Sequence, residues 1–135
     1  VPARQHRVTR GDDYRRIVRT GNRVGGATCI AHAVLHVREA DAPDQPARFG
    51  FIVSKAVGNA VTRNLVRRRL KFLVERGLHA GFEGADIVFR ALPASAEAGF
   101  EGLERDVTRA LGKVERMLAE RDAPQDPSPE PGRRS

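Results

Sequence analysis

The sequence predicts an α+β domain in which a small mixed sheet packs against helices. Segments 28–37, 48–54 and 85–91 are short, rich in aliphatic and aromatic residues and bounded by Gly, Pro or acidic clusters, as strands are. Two longer segments, one opening at Asn59 and one at Pro93, space their apolar residues as helices do. The order reads helix, two strands, basic helix, strand, helix, which builds a sheet against helices around one core.

Each element has a local reason. Thr9 can cap a first helix, with Asp12 in the capping-box position and Gly21 as its stop. Tyr14, Ile17 and Val18 form its apolar edge, with Arg15, Arg16 and Arg19 outward. The strand from Thr28 to Val37 is fairly apolar in both of its alternating sets, so both faces are expected to be covered. Residues 38–47 hold two prolines and three acids and read as an exposed connection. The last helix repeats Phe100, Leu103, Val107, Leu111, Val114 and Leu118 at helical spacing. Residues 1–121 are expected to fold as one domain. Residues 122–135, with four prolines and no strong apolar anchor, read as a disordered tail.

Composition narrows the partners. The chain has 135 residues, 40% hydrophobic, no Trp and a formal charge of +7. Residues 1–71 hold 15 Lys/Arg against 5 Asp/Glu, whereas residues 72–135 hold 9 against 12. This asymmetry puts a polyanion-binding surface in the first half. Cys29 is the single cysteine, which rules out an intramolecular disulfide or a cysteine-rich zinc site. No apolar run of membrane-spanning length is present, and the basic N-terminal stretch lacks an apolar core, so a cytoplasmic protein is expected.

Segment 57–71, VGNAVTRNLVRRRLK, is the most informative. Gly58 supplies a turn and Asn59 an N-cap. At about 100° per residue, Arg63, Arg67 and Lys71 form one stripe flanked by Asn64 and Arg68. Val61, Leu65, Val66, Leu70, Phe72 and Leu73 are assigned to the packing side, interrupted by Arg69 and Arg76. A solvated charged face normally intersperses acids, yet Glu75 is the only one before Arg76. The pattern fits phosphate neutralisation, with Asn64 able to donate and accept.

These residues resemble the protein component of bacterial ribonuclease P. That family carries a Gly–Asn turn followed by a basic helix with the pattern R-N-R-x-K-R-x-x-R. Arg63 and Asn64 match the opening pair, Arg67 and Arg68 the central pair, and Lys71 keeps the last cation. Leu65 departs from the pattern. RVTRGDDYRRIVRTG, FGFIVSKAVGNAV and DIVFRALP resemble, in order, the family's first helix, its strand entering the basic helix and its third strand.

The resemblance implies a fold of the ribosomal protein S5 domain 2-like type, with a left-handed crossover around the basic helix where pattern rules alone predict a right-handed one. It implies a protein subunit that assists RNA-catalysed, magnesium-dependent removal of the five-prime leader from precursor tRNA. Its partners would be the catalytic RNA subunit and precursor tRNA, with no membrane and no obligate protein partner. Asn59, Arg63, Asn64, Arg67, Arg68, Arg69 and Lys71 would bind the RNA subunit; Tyr14, His32 and Lys55 would line a leader cleft. Magnesium would sit at the RNA active site. Val18 stands where relatives often carry an aromatic, and Ala56 where they carry a second lysine. Arg90 lies one residue before the usual arginine, and a one-residue shift reverses a strand's face.

Each assignment has a plainer reading. Tyr14 can be a core aromatic, and Lys55 a solubilising surface charge. His32 and His36, four apart on a strand, stand about 13 Å apart, too far to share an ion. Asp12, Asp13 and Asp86 form no clustered carboxylate centre of the kind a metallonuclease needs, so no catalytic residue is assigned. A general RNA-binding or ribosome-associated protein is the alternative that charge pattern alone leaves open.

Overall fold

The computed structural model describes residues 7–8, 11–37 and 43–123. Along the chain run α1 (Gly11–Thr20), β1 (Asn22–Gly25), β2 (Cys29–Leu35), β3 (Arg48–Ile52), α2 (Ala60–His79), β4 (Ala85–Ala91) and α3 (Ser95–Asp122). The four strands form one sheet in the order β1-β2-β4-β3. β1 with β2 and β2 with β4 are antiparallel, whereas β3 runs parallel to β4. The sheet is therefore mixed, and α2 is the crossover that a parallel neighbour requires.

Burial divides the sheet into two faces. Cys29, Ala31 and Ala33 of β2, Phe49 of β3 and Ile87 and Phe89 of β4 pack with Val66, Leu70, Leu73 and Val74 of α2 and Leu103, Val107 and Val114 of α3. On the other face Ile17 of α1 meets Val88 and Val8. Both faces are covered, which explains why β2 lacks a polar-out alternation: its burial runs unbroken from Cys29 to Ala33. Asp106 ties α3 to the start of β2, its Oδ2 accepting from the Thr28 N–H at 2.8 Å and the Thr28 hydroxyl at 2.6 Å. Burial works to raise that carboxyl, but the two bonds outweigh it and hold Asp106 below its ordinary value.

Four sequence expectations need correction. β1 is absent from the predicted elements: a four-residue strand with only Val24 buried carries no alternation to read. The strands predicted at 28–37 and 48–54 are shorter, Cys29–Leu35 and Arg48–Ile52. Val61 and Phe72, assigned to the packing side of the basic helix, are 78% and 52% exposed. They lie roughly 150° around the helix from the buried arc of Val66, Leu70, Leu73 and Val74. The stripe of Arg63, Arg67 and Lys71 thus borders the buried face rather than opposing it. Asp122, expected to open the tail, ends α3 instead; the expected cap at Thr9 and residues 124–135 lie outside the described residues.

Candidate nucleic-acid interface

The basic helix starts where its sequence says it should. Asn59 Oδ1 accepts from the Thr62 N–H at 2.9 Å, satisfying one of the helix's orphan donors. Gly58 precedes it at φ 156°, where a side chain would be strained and its Cβ would fall 3.1 Å from the Thr62 side chain. The first turn of α2 carries no acid, although negative charge there would stabilise the helix dipole. It carries Arg63 instead, whose guanidinium donates to the Gly58 carbonyl at 3.0 Å. One turn on, Arg67 Nη1 donates to Asn64 Oδ1 at 2.9 Å. Two cations are thereby held in fixed positions by neutral acceptors, which leaves their charge uncompensated by these bonds.

The outer surface of α2 holds a depression of about 480 Å³ lined by Asn64, Arg67, Arg68, Lys71, Phe72 and Glu75. Around the helix edge, Arg67 and Lys71 also line a groove of about 330 Å³ together with Arg7, Val8, Tyr14, Phe49 and Phe51. Two residues expected to bind the RNA subunit and one expected to bind leader therefore share a groove. Tyr14 also lines a depression of about 390 Å³ on its other side, with Arg15, Val18, Arg19 and Ile52. Its ring lies so close over Gly50 that a Cβ there would come within 2.7 Å of it. Its hydroxyl accepts from the Phe51 N–H at 3.2 Å, so the partly buried ring is fixed at its tip.

The remaining expected residues are placed differently. Lys55 is exposed in the turn between β3 and α2 and lines neither groove. Arg69 sits about 160° around the helix from Arg67 and Lys71, on the flank away from both. His32 is 5% exposed, opposite Arg23 and Val88 in the sheet, and offers no open ring face to a base. Burial first, then Arg90 and Arg23, lower its pKa. Arg90 shares the α1-facing side with Val88, two residues away, half-buried between Ile30 and Ile52 in register.

Sequence reasoning overlooked a polar network at the opposite end of β4. Asp86 accepts from His36 Nε2 at 2.8 Å and from Arg48 at 2.7 and 3.1 Å, and Arg16 of α1 stands 3.8 Å away. Burial would raise the Asp86 carboxyl, but the His36 and Arg48 bonds outweigh it and bring it to about 2. Its oxygens are occupied by cations and donors, so it fastens α1 to the sheet instead of serving a reaction. Among the described residues no group of three or more His, Cys, Asp or Glu could hold a metal ion, and no helix is long and apolar enough to cross a membrane.

Comparison with known proteins decides the family. A profile described as Ribonuclease P matches residues 3–115. The chain belongs to the ribonuclease P protein family. The ribonuclease P protein component of Clavibacter michiganensis subsp. michiganensis is 45% identical over 116 residues, covering 86% of this chain and 98% of that protein. The component from a Nocardioides species is 42% identical, covering 81% and 91%. The fold is that of solved ribonuclease P proteins: one from Staphylococcus aureus superposes with a TM-score of 0.68 at 22% identity, covering 82% of this chain and 95% of that one. Another from Thermotoga maritima gives 0.66 at 18%, covering 79% and 96%. Membership disfavours the alternative of a general RNA-binding or ribosome-associated protein.

Proposed function

We propose that α2 docks this protein on the catalytic RNA subunit through Asn59, Arg63, Asn64, Arg67, Arg68 and Lys71, while the groove beside Tyr14 receives the precursor's leader. The chain is the protein component of ribonuclease P, the endoribonuclease that removes the five-prime leader from precursor tRNA, and its partners are the RNA subunit and that substrate. The observation that supports a leader path beside Tyr14 is the groove that Arg67 and Lys71 line together with it. A strand crossing it meets phosphate-neutralising charge on one wall and an aromatic surface on the other, the combination that single strands prefer.

The chemistry belongs to the RNA. Magnesium is assigned to the RNA active site, and the described protein side chains, whose best-buried carboxylates Asp86 and Asp106 are committed to internal bonds, take no step in hydrolysis. The protein acts by screening phosphate repulsion and orienting the leader, in the bacterial cytoplasm. The test is reconstitution: at low magnesium, the protein should restore precursor cleavage to the RNA subunit and cleave nothing alone. Cleavage by the protein without RNA, or no restoration, contradicts the proposal.

A further inference from the structure

Phe72 is anomalous for a docking helix. It is 52% exposed, and its exposed part lines the 480 Å³ depression with Asn64, Arg67, Arg68, Lys71 and Glu75. The rest of the ring is braced from the α3 side. Phe100 leans against it at 5.9 Å between centroids and 58°, and the Arg76 guanidinium stands 5.8 Å from the ring centroid. Arg76 is itself held at 2.8 Å by Glu104 of α3, so the brace is anchored on two helices. A large apolar ring left half in water gains little from folding. Set among three cations, it has the form of a stacking platform inside a phosphate-binding surface.

We propose that Phe72 stacks on an unpaired nucleotide of the RNA subunit, with Arg67, Arg68 and Lys71 neutralising the flanking phosphates. This rests on the docking role of α2 and specifies it: the helix meets a point where the RNA exposes a base, rather than duplex backbone alone. Stacking has the further consequence of being independent of salt, because no counterion is released when a base meets a phenyl ring.

Binding of the RNA subunit to the full chain, measured across a salt series, tests this. Phe72→Leu keeps apolar packing against Phe100 and removes the flat face. Its affinity should fall roughly tenfold, within the range of one base stack, with the salt slope unchanged. Phe72→Trp should bind at least as tightly as wild type. The chain contains no other Trp, so that indole is a lone reporter whose fluorescence should be quenched by the RNA subunit. Unchanged affinity in Phe72→Leu, equal weakening in Phe72→Leu and Phe72→Trp, or no quenching each overturns the proposal; the second result would make Phe72 a packing residue. An Arg63, Arg67 and Lys71 triple substitution in the same series separates the two readings. If its slope stays at the wild-type value, the docking role itself fails; if the slope drops while Phe72→Leu is silent, only the stacking site fails.

Discussion

The Tyr14 hydroxyl accepts the Phe51 N–H on the side of β3 away from β4, at 3.2 Å. β3 is an edge strand, and an edge N–H without a partner invites other chains. Val8 N–H donates to the Phe49 carbonyl two residues earlier, at 2.8 Å. Tyr14 and Val8 therefore finish the edge together, and the same hydroxyl bond fixes the ring in the groove wall that α2 shares.

With the proposed leader site, the edge bond and the ring face of Tyr14 can be tested separately. Tyr14→Phe removes the edge bond and keeps the ring; it should cost about 1 kcal/mol of stability while leaving precursor tRNA affinity intact. Tyr14→Leu removes the flat face as well, and should cost the holoenzyme about 1–3 kcal/mol of precursor affinity with mature tRNA affinity unchanged. Binding of both ligands at one salt and magnesium concentration checks this. Equal losses for the two ligands would reduce Tyr14 to a fold residue.

Gly50→Ala should reproduce part of that phenotype from beneath the ring. The new methyl would sit 2.7 Å from Tyr14, and the ring must lift off β3 to accommodate it. Overpacking of this kind costs about 1–3 kcal/mol. Combined with Tyr14→Leu, the loss should be less than additive, since the clash disappears with the ring. Melting curves of the single and double variants give the comparison.

Stability should fall in acid in two windows. The Asp86 carboxyl sits at about 2, below its ordinary 3.8, so its contribution is complete above about pH 4 and is lost as pH falls toward 2. At neutral pH it is worth about 2 kcal/mol, and Asp86→Asn should forfeit that and flatten the acid limb below pH 4. His32 acts nearer neutrality. Its folded value is lowered from 6.5, so the unfolded chain takes up the proton more readily and stability declines as pH falls below about 6.5. His32→Leu should remove that upper part of the decline. Denaturant titrations from pH 7.5 to 3 in both variants test the two assignments separately.

The sequence is legible where local chemistry determines the structure. Gly58 and Asn59 announce the start of α2 because a turn and a cap are local events, and α3 is legible from its long apolar period. Gly99, at φ 72°, kinks α3 near its start and is visible only in the backbone. β1 has a single buried side chain and depends on pairing with β2. A helical wheel gives the relative angles around α2 correctly but cannot say which arc its neighbours cover. That is why the wheel alone puts Phe72 in the core and does not reveal how near Arg67 and Lys71 stand to Tyr14. Only the resemblance assigns His32 to the leader cleft, whereas its place between Arg23 of β1 and Val88 of β4 leaves it buried.

RNA docking by α2 can be read from the salt dependence of RNA-subunit binding. In a log–log plot each phosphate left without its cation lowers the slope by about 0.7–0.9. Replacing Arg63, Arg67 and Lys71 by Gln together should therefore reduce it by up to about 2–3, with the melting temperature close to wild type because none of the three is buried. A folded triple variant with weaker binding and a flatter slope is the predicted result. A folded triple variant that keeps the wild-type slope would remove this stripe from the interface and contradict the account.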